Sequence, residues 1–264
     1  MAVLTTGRGR RVPAVTARLR ELIARGRGVV ALTGAGISAE SGVPTFRGRD
    51  GFWEKERVED LATPEGFARD PRKVWAWYEE RRRRISTCAP NAGHLALARY
   101  AERRPDFTLV TQNIDGLHRA AGSPRVLALH GDIFRVRCVR DGTSRDERRV
   151  PLPEIPPHCP CGALLRPDVV WFGELLPRRE IEEATQASHR AELFLVIGTS
   201  ALVYPAASLP TIARLEGAYM VEINVEPTPL SSQADEVLLG PAATILPDLL
   251  GEGAASVTGR GGRS

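Results

Sequence analysis

Residues 29–39 read VVALTGAGISA, an apolar run of strand length that passes directly into a glycine-rich turn. The uncharged run at 29–32 favours a strand buried on both faces. Gly34–Ala39 fits the pattern G-x-G-x-x-A, in which glycines let a helix N-terminus approach a pyrophosphate. A tight turn without a ligand can show the same pattern, but the buried strand before it favours a dinucleotide site.

Similar short, β-rich runs recur along the chain, and most are separated by stretches of helical length. A helix is predicted from about Pro13 to Ala24, where apolar residues recur at helical spacing before Gly26. Strands that alternate with helices predict an α/β fold, a Rossmann-like doubly wound parallel sheet with helices on both faces. The other predicted strands are residues 107–111, 126–129, 193–197, 219–223 and 236–239.

Two segments interrupt this alternation. Residues 48–90 are helical and charged, and residues 134–167 are rich in proline, arginine and cysteine. We expect them to form a smaller inserted module with a helical part and a zinc-ribbon-like part. The sheet domain would then comprise residues 13–47, 91–133 and 168–250, and residues 1–12 and 251–264 would be disordered tails.

Composition excludes several classes of function. Hydrophobic residues make up 42% and charged residues 26% of the chain, as in ordinary globular proteins. A net charge of +4 over 264 residues is a weak footprint for nucleic-acid binding. No apolar run approaches the roughly 20 residues of a membrane span, and the first residues lack the apolar region of a secretory signal. We therefore expect a cytoplasmic protein with no specific nucleic-acid or membrane partner.

The glycine turn is followed by SGVPTFRG at residues 41–48, where an ordinary dehydrogenase would continue its helix. Pro44 blocks helix continuation, so Phe46 and Arg47 are predicted to lie on a loop beside the dinucleotide. The dinucleotide is therefore held for something other than hydride transfer.

Polar residues follow two of the predicted strands. Gln112, Asn113 and Asp115 come after the strand at 107–111, and His130 comes after the strand at 126–129. Because ligands bind outside the carboxyl ends of parallel strands, these side chains should share one crevice. A histidine flanked by a carboxylate and two amides is suited to act as a general base near neutral pH. For His118, a structural role is favoured.

These motifs resemble the sirtuin family in order and spacing, from about residue 22 to residue 250. They are GAGIS (34–38) through FRG (46–48), TQNID (111–115), HG (130–131), GTS (198–200) and NVE (224–226). The resemblance implies an NAD-dependent protein-lysine deacylase that consumes NAD, releases nicotinamide and transfers the acyl group to ADP-ribose. It also implies that His130 is the general base and Asn113 a second catalytic residue, and that the partner is an acylated lysine in an extended peptide.

The resemblance assigns further binding residues one by one. The peptide would pair as an added strand between Phe172-Gly173-Glu174 and Val203-Tyr204. The residues expected to contact NAD are Gly34, Ala35, Gly36, Ile37, Ser38, Glu40, Ser41, Thr45, Phe46, Arg47, Trp53, Gln112, Asn113, Ile114, Asp115, Gly198, Thr199, Ser200, Asn224, Val225, Glu226 and Ala242.

The helix that begins after Asp70 carries a candidate acyl-recognition pair. Asp70 is followed by proline, a strong helix start, and the helix should run through Ile85. Helical spacing places Tyr78 and Arg81 on its apolar stripe, where an arginine needs an anion. The alternative is that Arg81 is one of four consecutive arginines on a solvated helix. Tyr-x-x-Arg resembles the pair of the sirtuin class selective for acidic acyl groups, so we expect succinyl- and malonyl-lysine to be preferred over acetyl-lysine.

The cysteines depart from the two Cys-x-x-Cys pairs with which sirtuins hold a structural zinc. Cys138 is followed at the paired spacing by Asp141, and the second half reads HCPC at residues 158–161. Zinc could be held by Cys138, Cys159 and Cys161 with either Asp141 or His158. Loss of zinc is the alternative.

Two other functions use the same turn. An NAD-dependent ADP-ribosyltransferase would also expel nicotinamide, and a non-catalytic NAD-sensing module would need neither His130 nor Asn113. The presence of both residues favours catalysis.

Overall fold

A computed structural model describes residues 2–5, 14–44 and 61–251 of the chain. Within these ranges, seven strands form one parallel sheet in the order β1-β10-β9-β8-β2-β3-β4. Strand β2 lies between β8 and β3, so the glycine turn follows an interior strand of the sheet. The strands are β1 (Ala2–Thr5), β2 (Val29–Thr33), β3 (Phe107–Thr111), β4 (Leu127–Ala128), β8 (Leu193–Ile197), β9 (Tyr219–Asn224) and β10 (Glu236–Leu239).

Helices cover both faces of this sheet. All five residues of β2 are buried although alternate side chains point to opposite faces, so neither face is open to solvent at this strand. Helices α1, α5 and α9 pack on the face that carries Val29 and Ala31, and α7 and α8 on the face that carries Val30 and Leu32. The predicted doubly wound fold is confirmed. The helices described are α1 (Ala17–Arg25), α2 (Ala35–Ala39), α3 (Pro64–Arg69), α4 (Pro71–Ser86), α5 (Ala92–Arg103), α6 (Leu117–Ala120), α7 (Arg178–His189), α8 (Ser208–Leu215) and α9 (Ala242–Leu249).

A smaller antiparallel sheet follows β4 in the chain. Its strands are β5 (Gly131–Cys138), β6 (Ser144–Asp146) and β7 (Leu165–Val169), in the order β6-β5-β7. A third core cluster joins this sheet to helices α3 and α4, with the fully buried Trp75 among its members. The small sheet and these helices thus pack around one core of their own.

Two sequence predictions need correction at the start of the chain. The helix predicted from about Pro13 begins at Ala17, because Thr16 is extended and its hydroxyl accepts the N–H of Leu19 at 3.1 Å, which caps the helix there. Pro13 itself lies outside the described residues. The disorder expected for residues 1–12 is wrong for Ala2–Thr5, which pairs with β10 as an edge strand.

The remaining boundaries agree closely with the apolar pattern. The strand predicted at 126–129 is shortened to Leu127–Ala128, because the chain turns at residues 129–130 before entering the small sheet. Helix α4 has the predicted cap, with Asp70 Oδ1 accepting the N–H of Lys73 at 2.9 Å. Within the part of the chain that the structure describes, no helix has the length and apolarity of a membrane span.

Candidate active site

The candidate site lies at the carboxyl edge of the parallel sheet, where the segments that follow five neighbouring strands meet. These segments are residues 34–44 after β2, 112–116 after β3, 129–131 after β4, 198–204 after β8 and 224–226 after β9. Parallel strands bring all five segments to one edge, so the residues predicted from separate motifs converge.

The glycine turn packs directly on the turn after β8. The N–H of Gly36 donates to the carbonyl of Gly198 at 2.8 Å. A Cβ on Gly36 would lie 2.7 Å from Gly198 Cα, and a Cβ on Gly34 would lie 2.5 Å from Thr199 Cβ. Gly198 also has a φ of +58°, which side chains disfavour. The glycines therefore let two loops form one surface at the start of α2.

A buried hydrogen-bond network joins Asn113 to the glycine turn. Asn113 Nδ2 donates to the carbonyl of Gly34 at 3.0 Å and to Ser38 Oγ at 3.2 Å. Ser38 Oγ donates to Asp115 Oδ2 at 2.7 Å, and the N–H of Leu117 donates to Asp115 Oδ1 at 2.9 Å. Burial raises the pKa of Asp115, and the bonds from Leu117 and Ser38 oppose that rise. Since both Asn113 amide bonds use Nδ2, its Oδ1 can accept from a ligand hydroxyl.

His130 lies in the turn between β4 and β5, with Nδ1 2.8 Å from the carbonyl oxygen of Gln112. A carbonyl only accepts, so Nδ1 carries the hydrogen, and the neutral ring has its lone pair on Nε2. Burial lowers the pKa of His130, and the bond to Gln112 acts in the opposite direction. The imidazole is thus neutral near pH 7 and can accept a proton at Nε2.

Two further histidines contact residues of this site, and no sequence motif indicated the role of either one. His94 Nε2 is 3.3 Å from Ser38 Oγ, and His118 Nε2 is 2.9 Å from Thr33 Oγ1. Burial lowers the pKa of His94 to about 4 and that of His118 to about 3. Both are therefore neutral hydrogen-bonding groups. The only signal for His94 is its spacing from Asn91, with which it forms a capping box.

The other end of the crevice is formed by the turns after β8 and β9. Gln112 Nε2 donates to Thr199 Oγ1 at 3.0 Å, and Asn224 Nδ2 donates to the carbonyl of Thr199 at 3.3 Å. Val225 and Glu226 follow and are exposed. These contacts bring Gln112, Thr199 and Asn224 together at one end of the crevice.

Glu222 is a residue that the sequence analysis missed. It is fully buried in β9 and accepts hydrogen bonds from Thr228 Oγ1 at 2.7 Å and from Ser231 Oγ. Its carboxylate thereby anchors the loop that carries Val225 and Glu226. A glutamate within an apolar strand was the signal that could have identified it.

Several residues that were expected to contact NAD are buried or form hydrogen bonds with other parts of the chain. Ile37 is fully buried in the sheet core, so only its backbone could meet a ligand. Glu40 Oε2 accepts a hydrogen bond from the N–H of Ala243 at 2.9 Å, next to the buried Ala242. Ser41 Oγ accepts one from Nδ2 of Asn91, the residue that caps α5. Ile114 packs against the small core and accepts a backbone hydrogen bond at 2.9 Å.

Ala35 and Ser200 are half-buried in the two facing turns. Thr45, Phe46, Arg47 and Trp53 lie outside the described residues.

Helix α4 buries Tyr78 and Arg81, which are only 3% and 5% exposed. The alternative of a solvated helix face is therefore wrong for Arg81. Its guanidinium carbon lies 3.0 Å from the centroid of the Trp77 ring. Burial lowers the pKa of Arg81 to about 9 and raises that of Tyr78 to about 12. The Tyr78 hydroxyl accepts the indole N–H of Trp171 at 2.9 Å.

The two segments predicted to pair with a peptide are not strands in this structure. Phe172 and Tyr204 are 54% and 77% exposed, and Val203 is 41% exposed. Gly173 lies in a turn, and the Glu174 carboxylate accepts from Arg166 Nη2 at 2.9 Å and from the N–H of Trp171 at 2.8 Å. The side chain of Glu174 therefore holds the turn together.

The cysteines form a cluster at one end of the small sheet. The sulfur atoms of Cys138, Cys159 and Cys161 and a carboxylate oxygen of Asp141 all lie within 4.8 Å of one another. Cys138 Sγ and Cys161 Sγ are 3.5 Å apart, close to the roughly 3.8 Å that tetrahedral zinc–sulfur bonds of about 2.3 Å imply. His158 instead contacts Glu154, with Nδ1 3.2 Å from its carboxylate. The geometry favours Asp141 over His158 as the fourth ligand of a zinc ion.

Comparison with known proteins agrees with this geometry. The sequence model of the Sir2 family matches residues 34–205. An NAD-dependent protein deacylase of Aquifex aeolicus is 55% identical over 208 residues, covering 78% of this chain and 87% of that protein. An NAD-dependent protein deacylase of Thermococcus kodakarensis is 50% identical over 238 residues, covering 87% of this chain and 92% of that protein.

Solved structures are similar over nearly the whole fold. A Sir2 homologue in complex with NAD has a TM-score of 0.83 and 46% identity, covering 90% of this chain and 93% of that chain. A Sir2 structure with a p53 peptide and NAD+ has a TM-score of 0.78 and 32% identity, covering 90% of this chain and 98% of that chain. The chain therefore belongs to the Sir2, or sirtuin, family and is an NAD-dependent protein deacylase.

Proposed function

We propose that this deacylase removes succinyl and malonyl groups from lysine in preference to acetyl groups. The observation that carries the proposal is the burial of Arg81 beside Tyr78 on α4. A guanidinium is costly to remove from water, and a carboxylate is the anion that its planar N–H groups match. Succinyl and malonyl groups bring such a carboxylate to the site, whereas an acetyl group does not.

The position of this pair fits an acyl group whose other end reaches His130. Tyr78 is hydrogen-bonded to Trp171, and the N–H of the adjacent Val170 donates to the carbonyl of His130 at 3.0 Å. Residues 170 and 171 thus connect the helix that would bind the carboxylate to the turn that holds the base. The acyl-lysine would enter between residues 172–174 and 202–204, whose side chains are largely exposed.

The proposed catalytic roles follow from the hydrogen-bond directions in the site. His130 Nε2 accepts the proton of a ribose hydroxyl, since its Nδ1 is committed to Gln112. Asn113 Oδ1 orients the ribose, and Asp115 binds the nicotinamide amide. When bound, NAD supplies the ribose carbon that the acyl oxygen attacks. The NAD and peptide complexes of related Sir2 proteins support this placement.

Substitution of Arg81 tests the proposal. Matched acetyl-, succinyl- and malonyl-lysine peptides are turned over with NAD by the wild type and by Arg81→Met. A charged hydrogen bond contributes about 1.5–3 kcal/mol, so we expect Arg81→Met to lower kcat/KM for the acidic peptides roughly 10- to 100-fold. Acetyl-lysine turnover should stay within about twofold.

Arg84→Met is the matched control, because Arg84 lies on the same helix but is exposed and bonded to Glu80. It should leave all three rates unchanged. The assignment is wrong if Arg81→Met leaves desuccinylation intact while acetyl-lysine turnover falls.

A further inference from the structure

Trp171 joins the predicted acyl pocket to the peptide-binding turn. It is 2% exposed, and its Nε1–H donates to the Tyr78 hydroxyl oxygen at 2.9 Å. The preceding residue bonds to the carbonyl of His130, and the next is the exposed Phe172. Trp171 is therefore placed between the base and the helix that carries Arg81.

The direction of this hydrogen bond follows from the chemistry of the indole ring. An indole N–H can only donate, so the Tyr78 oxygen must accept, and the hydroxyl hydrogen points elsewhere. Among residues 2–5, 14–44 and 61–251, the structure shows no acceptor for that hydrogen. Burial raises the pKa of Tyr78 to about 12, so the hydroxyl keeps its proton and can donate it.

Two neighbouring side chains, Arg166 and Phe67, hold the indole in place. The guanidinium carbon of Arg166 lies 3.3 Å from the centroid of the Trp171 ring, and the Phe67 ring lies 5.3 Å away, centroid to centroid. Arg166 Nη2 donates to the carbonyl of Val169 at 2.9 Å and to Glu174, whose carboxylate also accepts the N–H of Trp171. The ring cannot turn away from Tyr78 without breaking these contacts.

We propose that Trp171 is a specificity-determining positioning residue: its Nε1–H occupies the Tyr78 oxygen and directs the Tyr78 hydroxyl to donate to the carboxylate of an acidic acyl group. This inference rests on the acyl preference proposed above. It adds that the preference depends on the indole N–H as well as on Arg81.

Replacement of the indole N–H tests the inference. Trp171→Phe keeps an aromatic ring beside Arg166 and Phe67 but removes the donor. We expect KM for a succinyl-lysine peptide to rise about 5- to 10-fold with little change in kcat, while both constants for the acetyl-lysine peptide stay within about twofold. Incorporation of 3-benzothienylalanine at position 171, which replaces N–H by sulfur at nearly constant shape, should give the same result even where the phenylalanine variant folds poorly.

Trp75→Phe is the matched control. Trp75 is fully buried on α4 and also donates from Nε1, but to the carbonyl of Leu165 at 2.7 Å. Its loss should lower the melting temperature and leave the ratio of succinyl to acetyl kcat/KM unchanged.

A double variant distinguishes an effect that acts through the Tyr78 hydroxyl from a general disturbance of the site structure. Trp171→Phe combined with Tyr78→Phe should be no less selective than Tyr78→Phe alone, because both act through one hydroxyl. Suppose that the wild type prefers succinyl-lysine. The Trp171 inference is then overturned if both position-171 variants keep that preference. It is also overturned if the losses of selectivity caused by Trp171→Phe and Tyr78→Phe add in the double variant. A wild type without acidic preference overturns the proposed function and this inference together.

Discussion

The orientation of His130 depends on one backbone carbonyl, that of Gln112. This acceptor fixes the hydrogen on Nδ1 and leaves the lone pair of Nε2 for a proton. Burial lowers the pKa of the ring from its ordinary 6.5, so the form that can act as a base persists into mildly acidic solution. The sequence identified His130 because it follows a strand next to two amides and a carboxylate, but it could not show which nitrogen is free.

The pH dependence of acyl transfer tests this tautomer. Below the lowered pKa, His130 becomes imidazolium and has no lone pair, so the single-turnover rate of O-acyl-ADP-ribose formation should fall only below pH 6.5. His130→Gln should lower this rate by about 10²- to 10⁴-fold, the usual contribution of general base catalysis.

The exposed His189, which contacts Glu216, provides a control, and His189→Gln should leave the profile unchanged. An acid limb centred above pH 6.5 would contradict a base whose pKa is lowered by burial.

At the scale of elements, the apolar pattern predicted six strands of the parallel sheet and helix α4 with nearly correct bounds, but it did not predict the three strands of the small sheet. It succeeded because β2 and β8 are buried on both faces, so each appears in the sequence as an uninterrupted apolar run of strand length. It failed for β1, a four-residue edge strand whose pairing with β10 joins residues more than 230 positions apart. It placed the start of α1 too early, because the Thr16 cap overrides the proline signal.

Retention of zinc depends on the cysteine cluster beside the turn that follows β5. Three sulfur atoms and the Asp141 carboxylate converge there, so we expect about one zinc per chain by elemental analysis. Asp141→Cys restores a fourth thiolate and should slow the loss of zinc to a competing chelator, whereas Asp141→Ala should accelerate it.

His158→Ala is the control for the zinc measurement, because His158 contacts Glu154 and lies outside the cluster. If His158→Ala accelerates zinc loss and Asp141→Ala does not, the assignment of the fourth ligand is reversed.

At the scale of the whole molecule, each of the three core clusters includes or contacts a residue next to the site, and the polar network of the site is buried. These residues are Ile37, Leu129 and Ile114. Sequence motifs identified Asn113, Asp115 and Ser38, because a glycine-rich turn and polar residues directly after a strand are recognisable in the sequence. Contacts such as that between Tyr78 and Trp171, 93 positions apart, have no local signature. Such long-range contacts could not be predicted, since they depend on how helix α4 packs against the small sheet.

Burial of His94 and His118 should make the protein sensitive to acid. Their folded-state pKa values, about 4 and about 3, lie below 6.5, so the unfolded chain binds more protons and stability falls as pH decreases from 6.5 towards 4. Each histidine should lower the free energy of unfolding by about 2 kcal/mol between pH 7 and pH 5.

Urea unfolding at the two pH values measures this loss. His118→Gln should reduce the pH-dependent difference by about 2 kcal/mol, the contribution of this one histidine. Equal stability of the wild type at both pH values would contradict neutral buried histidines.

The most direct test of the account is a competition among acyl groups in one reaction. Equal concentrations of acetyl-, succinyl- and malonyl-lysine peptides of the same sequence are incubated with limiting NAD, and the products are identified by mass spectrometry. We predict free lysine peptide, nicotinamide, and O-succinyl- and O-malonyl-ADP-ribose in excess over O-acetyl-ADP-ribose. Predominant O-acetyl-ADP-ribose would contradict the acidic preference, and ADP-ribosylated peptide in place of O-acyl-ADP-ribose would contradict the proposed role of His130.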